Sequence, residues 1–213
     1  MSLHLTKIEI GYETAHKAGL RDSYAWHQWA WQAFPGQPDA ARDFLTRLDD
    51  TGDGFRFLIQ STGEPQRPAT CPVDAWHTRP IPEGFFQHPA YRFSLLANPT
   101  RKLAAPRDAE GKRRNAKRVP VSSREELVAW IERKGGQSGF RIDLTTLQTI
   151  PRPRQVFVKK SGADKQRHAG LHGATEFVGI LHITDREAFL QSVHHGIGSA
   201  KAFGFGMLCL SPF

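Results

Sequence analysis

The sequence predicts an α+β chain made of two tandem ferredoxin-like (RRM-like) domains, residues 1–80 and 90–213, joined by a short proline-bearing linker. Three observations lead there. Each half opens on a stretch that alternates apolar and polar residues, the period of a half-buried strand. The first half then reads helix, strand, strand, and the second reads helix, strands, helix, strand, a mixed order rather than a strict βαβα series. Between them Pro80, Pro82 and Pro89 break any periodicity. No strict internal repeat links the halves.

Taken in order, Leu3, Leu5, Ile8 and Ile10 alternate with Lys7 and Glu9 and form a first strand. Gly11 to Leu20 reads as a linker. Asp22 or Ser23 caps a helix of aromatics from Tyr24 to Phe34, which Pro35-Gly36 ends. Asp39 to Leu48 reads as a short second helix with Phe44, Leu45 and Leu48 on one face. Phe55 to Gln60 is a strand, and Thr70 to Pro80 its expected partner.

In the second half Tyr91, Phe93 and Leu95 alternate along Ala90–Ala97. A polar, basic loop from Asn98 to Lys117 interrupts a hairpin that resumes at Arg118–Val121. Ser122 or Ser123 caps a helix with Glu125 and Glu126 in its first turn, and Gly135-Gly136 is its expected stop. Phe140 to Ile150 is a strand. Pro153 to Lys160 and Ala174 to Ile183 make a long hairpin with a basic tip. Thr184 or Asp185 caps a last helix, and a strand from Phe205 to Leu210 ends the pattern.

The chain of 213 residues carries a net charge of +8, unevenly spread. Arg101–Arg118 holds a local +6 and Arg152–His168 a local +5, so the remainder is slightly acidic. Concentrated positive charge points to a polyanion partner, with a merely solvated face as the weaker account. Two distant cysteines, Cys71 and Cys209, supply neither a disulfide framework nor a metal pair, which suits a reducing, cytoplasmic setting. No apolar run is long enough for a membrane helix, and the N-terminus lacks the regions of a signal peptide.

Two stretches carry candidate chemistry. Tyr24 and His27 are three apart and share a face near a helix N-terminus. Histidine suits proton transfer near neutral pH, and tyrosine suits donation to a developing phosphate charge. An aromatic helix with a gap-filling histidine has the same pattern. The second stretch, Gly196 to Gly206, holds Gly196, Gly198, Gly204 and Gly206 around Lys201. Exposed N–H groups beside a cation can cradle phosphate, and a flexible turn before a last strand reads equally well. The spacing matches neither a Walker loop nor a dinucleotide fingerprint. Among the basic residues, Lys117 and Arg118 are placed to track a phosphate backbone. Arg152, Arg154, Lys159 and Lys160 lie on or near the predicted hairpin. No carboxylate cluster suggests a two-metal nuclease.

Four stretches together resemble the CRISPR repeat-processing endoribonucleases of type I-E systems, the CasE family. They are Arg21-Asp22-Ser23-Tyr24-Ala25-Trp26-His27; Phe34-Pro35 with Pro38 to Leu45; Phe93 to Pro99 with Lys117-Arg118-Val119-Pro120 and the Ala129-Trp130 helix; and Gly196 to Gly206. The resemblance spans nearly the whole chain. It implies two ferredoxin-like domains of the RAMP type, no metal and no cofactor. It also implies His27 and Tyr24 as the catalytic pair and a glycine-rich loop holding RNA. The implied reaction is attack of a 2′-OH on the adjacent phosphate beside a repeat stem-loop, leaving a 2′,3′-cyclic phosphate. The implied partners are the precursor and mature CRISPR RNA and the other subunits of Cascade. A non-catalytic RNA-binding scaffold of the same assembly is the alternative.

Overall fold

The computed structural model describes residues 3–35, 42–104, 118–161 and 166–213, with backbone only for 154–172. It is a mixed α/β chain with two four-stranded antiparallel sheets. The elements are β1 (Leu3–Gly11), α1 (Tyr12–Lys17), α2 (Ser23–Trp31), β2 (Phe44–Asp50), β3 (Gly54–Ser61), β4 (Trp76–Ile81), β5 (Ala90–Ala97), β6 (Thr100–Lys102), β7 (Arg118–Pro120), α3 (Arg124–Gln137), β8 (Phe140–Ser161), β9 (Gln166–Ile183), α4 (Arg186–His195) and β10 (Leu208–Pro212). The first sheet has the order β2-β3-β1-β4 and the second β10-β5-β9-β8; β6 and β7 form a small separate ribbon. Among the described residues no helix is long and apolar enough to cross a membrane.

In the first sheet Ile8, Ile10, Phe57, Ile59 and Phe44 face α2, which buries Trp26, Trp29 and Ala30 against them. Those helix positions are three and four residues apart, so the three buried residues make a single stripe. Trp26 meets Phe57 with ring centroids 4.9 Å apart. The Asp22 carboxylate accepts from the Ala25 backbone N–H at 2.8 Å, capping the helix as the sequence indicates. Under the second sheet, α3 and α4 bury Leu127, Trp130, Ile131, Phe189 and Val193 against Tyr91, Phe93, Leu95, Phe177 and Leu181. Ser123 and Asp185 cap these helices.

Several expectations need correction. Gly11–Leu20 is not a linker throughout: α1 forms there, held by the Glu13–Lys17 pair and by Tyr12, whose hydroxyl donates to Asp50 at 2.5 Å. The expected helix at 39–48 is instead strand β2 from Phe44 onward, while residues 36–41 lie outside the described part. β4 pairs with β1, not β3, with Thr6 opposite Thr78. Helix α3 runs through Gly135 and Gly136 to Gln137. A Cβ on Gly135 would stand 2.9 Å from the Phe140 carbonyl, so that glycine permits close packing. The chain turns at Gly139, in the left-handed region at φ +74°. The segment between the halves is ordered: Pro80 and Ile81 finish β4, and a 3₁₀ turn over Glu83–Gln87 buries Phe86 in the second core.

β8 and β9 pair from Phe140↔Ile183 to Ser161↔Gln166, whereas β5 meets β9 only at Thr175–His182. The ribbon beyond Arg152↔Ala174 is therefore a two-stranded arm, extending about 30 Å past the sheet at the rise of an extended chain.

The two sheets are tied by a buried ionic knot. The Arg47 guanidinium on β2 reaches Glu176 on β9 at 2.6 Å, Asp49 at 2.9 Å and the Ser94 hydroxyl on β5 at 2.6 Å. Arg152 donates to the other Glu176 oxygen at 2.8 Å. Burial works against charge on Glu176, but hydrogen bonds from Ser94, Arg47 and Arg152 outweigh it and draw the carboxyl down to about 2.

Candidate RNA-processing site

β2 is the strand on which the site is built. Alternate residues point to opposite faces. Thr46 and Leu48 face α2 and line a cavity of about 10 Å³ with Ser23, Trp26, His27, Phe203 and Gly204. Leu45 and Arg47 face the second half, where Leu45 packs on Gly196. The structure thus brings together His27 on α2 and the glycine-rich turn some 170 residues later.

That turn has a fixed shape. Lys201–Phe203 is one 3₁₀ turn, flanked by left-handed Ala200 (φ +60°) and Gly204 (φ +84°). The Ile197 N–H donates to the Gly206 carbonyl and the Gly206 N–H to the Leu96 carbonyl, both at 2.8 Å. A Cβ on Gly196 would stand 2.9 Å from Leu45, and one on Gly206 only 2.7 Å from the Ile197 carbonyl. Those two glycines serve close packing. Gly198 lies against the Trp130 ring and lines the cleft beyond it.

His27 is half-buried. The Trp31 indole N–H donates to its Nε2 at 3.1 Å, and the rings of His27 and Trp31 meet edge-on at 6.2 Å. His27 Nδ1 and the Ser23 hydroxyl are buried without a hydrogen-bond partner among the described residues. Burial lowers the His27 pKa below its ordinary value, and the charge of Arg42 lowers it further. Tyr24 lies one turn earlier on α2 and is half-buried.

Positive charge runs from this point to a second cleft. Arg42, just ahead of β2, also depresses the pKa of Lys201, after burial; Lys201 in turn depresses Lys134 on α3, after burial, Arg133 and Arg118. Neither Arg42, Lys201 nor Lys134 forms an ion pair among the described residues. The Lys201 ammonium donates to the His195 carbonyl at 2.8 Å. The cleft, about 400 Å³, is lined by Arg101 and Lys102 of β6, Arg118 of β7, and Arg133 and Lys134 of α3. Gly198, Ser199 and Trp130 complete its wall, and among the described residues no acidic side chain lines it. Glu126 pairs with Arg101 nearby at 3.3 Å.

The other residues singled out from sequence fall as follows. Gly196, Gly198, Lys201 and Gly204 are in the turn beside His27. Arg118 is in the basic cleft. Arg152 stands at the base of the arm with its guanidinium on Glu176, a structural partner the sequence did not reveal. Arg154, Lys159 and Lys160 belong to β8, but their side chains, like Lys117 as a whole, lie outside the described residues. His195 donates from Nδ1 to the Gln191 carbonyl at 2.8 Å and so closes its own helix. Sequence reading missed Arg42, Trp31, Arg133 and Lys134. The adjacent cations at the end of α3 were the one local signal. Among the described residues no three His, Cys, Asp or Glu side chains are grouped to hold a metal ion.

A family profile described as CRISPR associated protein matches residues 3–212. The chain is 33% identical, over 99% of its length and 100% of the relative's, to the CRISPR system Cascade subunit CasE of Escherichia coli (strain K12). It is 31% identical, over 98% of its length and 99% of the relative's, to the CRISPR-associated endoribonuclease Cse3 of Thermus thermophilus. Among solved structures it is similar to Thermus thermophilus Cse3 bound to an RNA representing a pre-cleavage complex. The TM-score is 0.73 and the identity 25%, with all of both chains covered.

Proposed function

The chain belongs to the CasE family of CRISPR-associated proteins, and from that premise we propose that it is a metal-independent endoribonuclease that binds a CRISPR repeat stem-loop and cuts precursor RNA beside it. The observation that carries the proposal is the meeting of His27 with the glycine turn and with cations that have no carboxylate partner among the described residues. An anion is the missing complement of such a cluster.

In the proposed reaction the 2′-oxygen attacks the adjacent phosphorus and its proton passes to His27. The bond from phosphorus to the 5′-oxygen breaks, leaving a 2′,3′-cyclic phosphate. The departing 5′-oxygen takes a proton from the imidazolium or from water. Proton transfer of this kind typically contributes about 10²- to 10⁴-fold in rate. The nucleophile belongs to the substrate, so orientation supplies much of the rest. Tyr24 steadies the 2′-OH or the phosphorane charge, and Arg42 and Lys201 lie on the side where negative charge develops. The arm, with Arg154, Lys159 and Lys160, grips the stem. Arg118, Lys117 and the basic cleft carry the backbone onward, and Gly196, Gly198 and Gly204 let the turn approach it. Arg152 contributes from the base of the arm. The product then stays with the protein in Cascade.

Each half is proposed as a ferredoxin-like domain, 1–80 and 90–213. Renumbered within its own half, each sheet reads 4-1-3-2, the order of that plan. One observation favours the scaffold alternative: Trp31 covers one ring nitrogen of His27 and the other is buried.

Incubation with repeat RNA in EDTA separates the two. The enzyme gives a product ending in a cyclic phosphate, and a 2′-deoxy nucleotide at the cut blocks it. RNA that is bound tightly and stays whole overturns the enzymatic reading.

A further inference from the structure

His27 has two ring nitrogens, and the fold covers both. Nδ1 is buried beside the Ser23 hydroxyl in the small cavity behind Gly204. Nε2 receives the Trp31 indole N–H at 3.1 Å. An indole nitrogen only donates. Nε2 therefore presents its lone pair to Trp31, and the single proton of the neutral ring sits on Nδ1. An imidazolium would set two N–H donors against each other across this contact, so the bond favours the neutral ring. Trp31 is itself held in place. Its ring meets Phe44 of β2 edge-on at 5.0 Å, and Phe44 stacks on Phe34 at 4.8 Å.

We infer that Trp31 is the positioning residue for His27: its indole fixes the tautomer of the resting histidine and covers the lone pair that would accept the substrate's proton. Seating of the RNA must then displace the indole, so the base is released only when a 2′-hydroxyl is there to use it. This inference rests on His27 as proton acceptor, but its first test does not require activity.

Among the described residues the charged and titratable groups around His27 are Arg42 ahead of β2, Lys201 in the turn packed on α2, and Tyr24 on α2 itself; β8, the strand of Arg152, also packs on α2. All are unchanged by Trp31→Phe, which keeps a smaller aromatic ring against Phe44 and removes the N–H donor. In whole protein carrying imidazole-¹⁵N histidine, with the His27 signals assigned by their loss in His27→Gln, the neutral ring should carry its proton on Nδ1. In Trp31→Phe the proton should shift toward Nε2 and the His27 pKa should rise by about half a unit to one unit, the worth of one hydrogen bond. In single-turnover cleavage at subsaturating protein, where the pH–rate profile reports the free enzyme, the acid limb should move up by the same amount, and RNA affinity should rise because no indole contact has to be broken. A proton on Nε2 in the unsubstituted protein overturns the inference, whether or not the variant folds. A tautomer and an acid limb that ignore Trp31→Phe also overturn it. RNA left uncut with the tautomer as expected would sink the nuclease reading and leave the Trp31 contact standing.

Discussion

Arg47 and Arg42 stand at β2 and just before it, and the molecule uses them in opposite ways. Arg47 is buried and surrounded by acceptors: Glu176, Asp49 and Ser94 each receive a hydrogen bond from it. Its own pKa is raised, because the pairing with Asp49 and Glu176 outweighs the penalty of burial. Arg42 is half-buried, makes no ion pair among the described residues, and burial lowers its pKa. The first arginine is neutralised in place and fastens one sheet to the other. The second leaves its charge to act on His27 and Lys201. Whether a cation is neutralised in place or left charged is thus decided by who faces it, not by its type or its depth. Acceptors from three other strands, Ser94 of β5, Glu176 of β9 and the Cys209 sulfur of β10, reach Arg47; no carboxylate in the described structure reaches Arg42.

His27→Ala should lower the cleavage rate by about 10²- to 10⁴-fold. Gel-shift affinity for uncut repeat RNA should stay unchanged, and near-normal cleavage would move the chemistry elsewhere. Next is Arg47→Ala, which leaves the Glu176 carboxylate to Arg152 and Ser94 alone and should cost up to about 3–5 kcal/mol of stability, read as a drop in the urea midpoint. The same knot predicts acid sensitivity. The Glu176 carboxyl is held at about 2 in the folded protein against an ordinary value of 4.5, so its contribution is complete above pH 4.5. That contribution is lost as pH falls toward about 2, because the unfolded chain takes up the proton first. Glu176→Gln should flatten this part of the stability profile.

Smaller effects sharpen the functional side. Lys134→Glu should weaken RNA binding and reduce the slope of log affinity against log salt by about 0.7–0.9 for each phosphate left without its cation. The cleavage rate of saturated complex should hold. Arg42→Gln should change the urea midpoint little. It should move the acid limb of cleavage upward, since the charge that helps keep His27 deprotonated has gone.

Much of this arrangement is written locally, and some of it cannot be. The caps at Asp22, Ser123 and Asp185 lie next to the helices they start, so a short window reveals them. The strand β5 alternates because one face packs on α3 and α4. β2 misleads because both of its faces are covered: Phe44, Leu45, Thr46 and Arg47 are all buried, and no alternation survives to mark a strand. Phe44, Leu45 and Leu48 then fit a helix stripe equally well. The knot joins Arg47 to a glutamate 129 positions away, and the basic cleft draws on four separate segments. Local spacing holds no record of either. The Tyr24–His27 pair is legible as a helical face, but the hydrogen bond from Trp31 depends on which rotamers the packing around Phe44 selects.

The two-sided use of β2 also bears on how such a chain can change over time. Loops beside it can gain or lose residues at little cost, because closure entropy grows slowly with length. A single insertion within Phe44–Leu48 would turn every following side chain to the opposite face. Arg47 would be driven among the aromatic rings of α2, and Thr46 would meet Glu176 in its place. Drift in length should therefore collect on either side of this strand, while the strand itself keeps its count.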